Sequence, residues 1–288
     1  TTIKDEGVCV LESDMLPEIL KQLMMEPSIW ALIVPVGILA GVINTLVGGG
    51  TLLVLPMLIE VVGIDPHTAN GTNRLCVAFQ AAVAVWAFSR KPEKGSQAGF
   101  GFRNVSHSGL PTLIIGLFAL PGAWLAGILD PEIFRKSLGI LVLFAVGFFM
   151  LSGSRNEAKT GQEFKTGDAP TKLGFPMILG CVACGLYGGF IGAGIGAFII
   201  LMFTRSGIPL ETAVRWKVTT VLVLSAVAGI YYAYEGYFSL SLAFPLLVAY
   251  SIGGYLGGLW IVKGGEKWLR PAVGVISTSL ALMMLFRD

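Results

Sequence analysis

Apolar runs of roughly twenty residues, separated by short polar stretches, recur along the chain from residue 29 to its end. A helix rising about 1.5 Å per residue needs about that many to cross the hydrocarbon core of a bilayer. The pattern therefore predicts an all-α, multi-pass membrane protein. Residues 1–28 form a polar, acidic arm in which a short amphipathic helix is expected around Met15 to Met25. The next run, Ile29 to Val62, is too long for one ordinary span and is interrupted at Gly48, Gly49 and Gly50. Single spans are predicted at His67–Ser89, Ser108–Leu129 and Glu132–Leu151, followed by a polar linker over residues 153–172. The order then repeats, with a second glycine-broken run from Leu173 to Thr204 and spans at Leu210–Tyr234, Leu240–Val262 and Trp268–Phe286.

The second half echoes the first residue by residue, which is the mark of an internal repeat. Gly41, Gly48, Gly50 and Gly63 stand 144 positions before Gly185, Gly192, Gly194 and Gly207, and Thr68–Ala69 stand the same distance before Thr212–Ala213. Farther on, "PGAWLAG" from Pro121 resembles "IGGYLGG" from Ile252. Two transmembrane repeats of about five helical segments each are expected, residues 29–152 and 173–288.

Positive charge indicates how the halves point. Arg90, Lys91, Lys94 and Arg103 lie in the loop at 90–107, and Arg155, Lys159, Lys165 and Lys172 lie in or beside the linker. The positive-inside rule puts both on the cytoplasmic side of the cell (inner) membrane. In the second half the basic loops are the complementary ones, near Arg205 and at Lys263 and Lys267, while the "EGYFS" turn at Glu235 has no Lys or Arg. The repeats are thus expected to be inverted, an architecture shared by many secondary transporters. Each is opened by a glycine-broken helix hairpin that enters and leaves on one side, so both termini are expected outside.

Composition excludes other classes. Of 288 residues, 54% are hydrophobic and 13% charged, against about 25% charged in a soluble domain. The net charge of +2 gives no reason to expect nucleic acid as a partner. No Ser-His-Asp, P-loop or dinucleotide pattern is present, so neither an enzyme nor a cofactor is expected. Cys181 and Cys184 have the spacing of half a zinc site, but no second pair or nearby histidine accompanies them, and buried small residues are the expected reading rather than a metal site. Trp216 is expected to pack or to anchor at an interface, and His67 and His107 to sit at span ends as interfacial residues.

The glycine breaks carry the chemistry. Consecutive glycines weaken a helix where no water can satisfy the exposed backbone. A helix restarting near the midplane presents unpaired N–H groups and the positive end of its dipole, which together attract an anion. Two such breaks, at Gly48–Thr51 and Gly192–Gly196, would face each other across the repeat axis. Arg74 lies eight positions past Pro66 and Lys217 eight past Pro209, which is about 12 Å into each span. A cation at that depth costs at least about 2.5 kcal/mol unless it meets a partner or water. No Asp or Glu is expected at comparable depth. Asn70, Asn73 and Arg74 share one helix face, continued by Gln80, while Arg215 is expected to reach for the cytoplasmic interface. Two alternatives stay open: Arg74 and Lys217 could serve structure by pairing with backbone carbonyls, and glycines at i, i+4, such as Gly37/Gly41 and Gly185/Gly189, could serve close helix packing.

"GVINTLVGGGTLLVLPML" (Gly41 to Leu58), the following "ANGTN" (Ala69 to Asn73) and their echo "GLYGGFIGAGIGAFI" (Gly185 to Ile199) resemble the sulfite exporter TauE/SafE family of membrane transporters. The order of spans fits from about Ile29 onward. The second half departs where "AVRWK" (Ala213 to Lys217) replaces a Gly-Thr pair. The resemblance implies small sulfur-containing anions as substrates: sulfite, sulfoacetate or other sulfonates, or thiosulfate. It also implies substrate contacts from Gly48, Gly49, Gly50, Thr51, Asn70, Thr72 and Asn73 in one half and from Gly192, Gly194 and Gly196 in the other. Arg74 and Lys217 are added on depth and charge. Expected partners are the lipid bilayer, the anion and a coupling proton or other ion. A passive anion channel and a non-transporting sensor or scaffold are the alternatives.

Overall fold

The computed structural model describes residues 27–46, 48–89, 109–155, 174–208, 210–260 and 266–286. The N-terminal arm, the basic loop at 90–107 and most of the linker lie outside the described residues. Ten helices follow one another among those described: α1 (Pro27–Leu46), α2 (Gly50–Glu60), α3 (Pro66–Ser89), α4 (Gly109–Gly127), α5 (Pro131–Arg155), α6 (Phe175–Phe190), α7 (Ile195–Arg205), α8 (Leu210–Tyr234), α9 (Leu240–Trp260) and α10 (Glu266–Phe286). Helix α5 runs to Arg155, past the expected start of the linker.

Local chemistry explains several boundaries. Both α3 and α5 begin at an Asp-Pro pair, where proline suits the first helical position and aspartate caps the N–H groups that follow. The Asp65 carboxylate accepts from Thr68 N at 2.9 Å, and that of Asp130 from Glu132 N at 2.9 Å. Short helices α2 and α7 are followed, after their last turns, by Gly63 and Gly207, which share positive φ values of +77° and +86°.

Residues at 109–127, 212–234 and 240–259 form helices that are each long and apolar enough to cross a membrane. Large apolar side chains point outward, among them Leu117 (67% exposed), Ile230 (65%) and Phe79 (61%). Polar groups such as Asn70, Asn73 and Thr220 are fully buried. Such a distribution suits lipid, where outward side chains must be apolar and polar groups are satisfied inside.

Helices pair across the halves. Helix α1 packs on α9 and α4 on α6, while α3 packs on α8 and α5 on α10. Small residues permit the close approaches: Gly41 lies against Gly253, and Gly185 against Ile115 and Phe118. Order along the contacts fixes direction. Gly71 meets Tyr232 and, one turn on, Leu75 meets Gly229, so α3 and α8 are antiparallel. Gly139 meets Leu285 while Gly274 meets Met150, so α5 and α10 are antiparallel too.

Two expectations about side chains are corrected. His67 is buried, not interfacial: its ring stacks between Phe134 (centroids 4.5 Å apart) and Tyr237 (4.9 Å), and Nε2 lies 3.0 Å from Ala126 O. The ends of α4 and α5 converge on the start of α3 and cover it. Arg215 is likewise buried, 7% exposed, rather than extended to an interface. Cys181 and Cys184 are buried free thiols, and Trp216 packs edge-on against Phe203 with centroids 5.6 Å apart.

The sequence reading missed a buried carboxylate. Glu60, whose side chain is 2% exposed, accepts from Arg135 Nε at 2.9 Å and Nη2 at 3.3 Å. Arg135 and Lys136 also reach Glu132, at 3.5 and 3.2 Å. This cluster ties the end of α2 to the first turns of α5. Glu60→Ala is expected to destabilise the fold by about 3 kcal/mol, the low end for stripping one partner from a buried ion pair, because Arg135 keeps Glu132. A melting temperature in detergent equal to that of the wild type would show that the pair contributes nothing net.

Candidate functional site

The helix breaks are built alike. In the first, Gly48 takes φ +90° and its N–H turns back to Ile43 O at 3.1 Å. In the second, Gly192 takes φ +61° and its N–H turns back to Tyr187 O, also at 3.1 Å. These bonds relate by the same 144-residue offset as the glycines. Positive φ is strained for any residue bearing a Cβ, so glycine at both positions follows from the turn itself. Helix α2 then restarts from Gly49, and α7 from Gly194 at φ +73°. Thr51 and Gly196 lie in the first turns of the restarted helices and are buried.

The breaks touch. A Cβ added to Gly48 would collide with the Gly196 backbone, and one added to Gly196 would collide with the Gly48 Cα. The space directly between them is therefore backbone against backbone, and any room for a guest lies to the side.

Lys217 and Arg74 each cross to the other half's break. Lys217, on α8 and 1% exposed, donates from Nζ to Asn44 O at 2.8 Å and Thr45 O at 2.7 Å. These carbonyls belong to the last turn of α1, where no amide of the same helix follows to pair with them. The ammonium also complements the negative end of the helix dipole. That contact is the structural alternative for Lys217 left open by the sequence.

Arg74, on α3 and 2% exposed, lies with its guanidinium against Gly192, where a Cβ would overlap it. At this break the last carbonyls are satisfied by neutral groups. Tyr232 Oη is 3.2 and 3.1 Å from Gly189 O and Phe190 O, and Asn70 Nδ2 donates to Phe190 O at 3.0 Å. Tyr187 Oη donates to Ala193 O at 2.6 Å. Arg74 is thus not needed as a cap. Among the described residues its Nε and Nη2 have no acceptor, and Asn70 Oδ1 and Asn73 Nδ2 are also buried without partners.

The two unpaired guanidinium groups are adjacent on one edge of the planar fork. Their N–H bonds run parallel, the geometry that binds two oxygens of one oxyanion. A buried cation without a counter-charge is unfavourable by several kcal/mol. Arg74 and Asn70, on one face of α3 at the second break, therefore make a site suited to an anion, while Asn73, on the same face, accepts at Oδ1 from Tyr250 Oη of α9 at 2.8 Å. Other expected residues go elsewhere. Thr72 accepts from Ser239 N at 3.0 Å and so serves the start of α9. Gln80 joins Asn44 and Thr45 at 2.7 and 2.6 Å near the end of α1. The tyrosines Tyr187 and Tyr232 were missed, since nothing in sequence spacing distinguishes them from aromatic packing.

Comparison with known proteins follows the same outline. A family model described as "Sulfite exporter TauE/SafE" matches residues 33–284. The chain is 27% identical over 269 residues to "Probable membrane transporter protein YfcA" of Escherichia coli strain K12, covering 91% of this chain and 92% of that one. It is 28% identical over 269 residues to "Probable membrane transporter protein YdhB" of Bacillus subtilis, covering 88% and 100%. A "Probable membrane transporter protein" of Haemophilus influenzae is 26% identical over 262 residues, covering 89% and 94%. No solved structure matches the chain significantly.

Gly192→Ala tests the packing at the second break. It is expected to lower the melting temperature by the equivalent of about 1–2 kcal/mol from positive φ alone, and further by displacing Arg74. Gly147→Ala, on α5 with open space about its Cα, is the control and should melt no lower than the wild type. Equal effects from the two substitutions would remove Arg74 from Gly192.

Proposed function

Since the chain belongs to the sulfite exporter TauE/SafE family over residues 33–284, we infer that this membrane transporter carries small sulfur-containing anions, such as sulfite, sulfoacetate or other sulfonates, or thiosulfate. The observation that carries the reading is the buried, unpaired edge of Arg74 against Gly192. A sulfite or sulfonate group presents two oxygens to that edge, and the α7 N-terminus adds its positive dipole end. Asn70 and Asn73 orient the guest, with backbone from Gly192 and Gly194 beside it. In this reading Gly48, Gly49, Gly50, Thr51 and Gly196 form the contact that closes over the site. Lys217 holds the end of α1.

The antiparallel packing of α3 with α8 and of α5 with α10 supports two inverted repeats, 29–152 and 173–288, that rock about this site in alternating access. Charge favours a cell-membrane orientation with both termini outside and the segments at 90–107 and 153–172 in the cytoplasm. Coupling to a proton or another ion fits the same scheme. A passive anion channel is separated from it by counterflow, because a channel shows no trans-stimulation, and a sensor or scaffold would show no flux.

Arg74→Ala is expected to weaken sulfite binding at least about 100-fold, since it removes a charge-assisted pair of bonds worth about 3 kcal/mol. Arg74→Lys keeps the charge but not the fork and is expected to lose about tenfold. Isothermal titration with sulfite and with methanesulfonate measures both, and unchanged affinity in Arg74→Ala would dismiss the site.

A further inference from the structure

Lys217 raises a question that anion binding does not answer. At the end of α1, Asn44 O and Thr45 O converge on one point, 2.8 and 2.7 Å from Nζ. Both residues are also fixed by side-chain bonds that do not involve Lys217. Asn44 Nδ2 donates to Gln80 Oε1 at 2.7 Å, Gln80 Nε2 to Thr45 Oγ1 at 2.6 Å, and Thr45 Oγ1 to Gly41 O at 2.9 Å. Carbonyls converging at the C-terminal end of a broken helix are what transporters use to hold a coupling sodium ion. Here the occupant is an ammonium, reached from the opposite half by a stem whose Cδ passes Gly196, 3.2 Å from where a Cβ on that glycine would stand. At the second break Gly189 O, the equivalent of Thr45 O, is met by the Tyr232 hydroxyl and the next carbonyl, Phe190 O, by that hydroxyl and the Asn70 amide, so a charge at this position is not required merely to end a helix.

We propose that Lys217 is a tethered substitute for a coupling cation: its ammonium permanently fills a carbonyl-lined cation site at the end of α1, so transport needs no sodium or other inorganic monovalent cation there. Because the stem also lies over the Gly48–Gly196 contact, the captive charge joins the two breaks. The inference takes the transport activity proposed above as given, and its melting arm does not depend on that activity.

The test uses the full chain in liposomes, with sulfite counterflow measured in sodium, potassium or choline as the only monovalent cation. Wild-type rates are expected to agree within about twofold in all three. Lys217→Ala is expected to fall at least about tenfold in choline. Both its rate and its melting temperature should recover when sodium or n-propylammonium, the fragment removed by the substitution, is supplied. Lys217→Met, which fills the stem's volume without charge, should stay low and should not be rescued by n-propylammonium. A wild-type rate that collapses in choline would overturn the proposal. So would Lys217→Met matching the wild type in choline, or Lys217→Ala responding to neither ion. Should Lys217→Ala fail to fold, the Lys217→Met comparison decides. If the wild type shows no sulfite counterflow, the transport reading fails while the melting comparison still judges the cation site.

Discussion

Every peptide group inside a bilayer needs a partner within the protein, and that requirement governs what this chain does at its two helix breaks. An interrupted helix leaves carbonyls on one side of the gap and amides on the other. The carbonyl side is closed in both halves, by Lys217 at the first break and by Tyr232 with Asn70 at the second. The amide side heads a short helix whose dipole favours negative charge. At the second break the Nε and Nη2 of Arg74 and the Oδ1 of Asn70 remain as unused polar capacity.

Near-symmetry in the backbone therefore coexists with asymmetry in the side chains. The turns at Gly48 and Gly192 share φ sign and hydrogen-bond pattern. Their cations do not correspond, since the repeat register pairs Lys217 with Asn73 and Arg74 with Val218. One basic residue is engaged by backbone and the other is left available. The division lets a site carry one uncommitted positive charge rather than two, matching a single oxyanion head group in a low-dielectric setting. A further asymmetry lies at the end of α2, where Glu60 and Arg135 bind one half's short helix to α5; the equivalent position on α7 is Thr204, which bonds its own helix at Ile200 O.

Much of this was readable beforehand, for specific reasons. Spans are legible because lipid demands long apolar runs, and the breaks because Gly48–Gly50 has no other reason to interrupt one. Arg74 and Lys217 stood out because charge at that depth is unfavourable. What each cation does was not legible: Asn44 and Thr45 lie 173 and 172 residues from Lys217, and backbone carbonyls carry no sequence signature. His67 was misjudged because its cover comes from Phe134 and Tyr237, both far along the chain. Glu60 was passed over because its partner Arg135 belongs to a different span. Thr72 shows the limit of motif reading, since Asn70 bonds the second break at Phe190 O while the Thr72 hydroxyl faces Ser239 and Asn73 meets Tyr250.

The backbone contact between Gly48 and Gly196 bears on how such a protein can change over generations. A crowded pair of side chains can drift, one growing as the other shrinks, but no residue is smaller than glycine. An enlargement at either position cannot be offset by its counterpart across the gap, so the two sites form a single mutational unit with no compensating exchange open to it. Two positions separated by slightly more than one repeat in sequence are thereby frozen together, by the absence of anything left to trim.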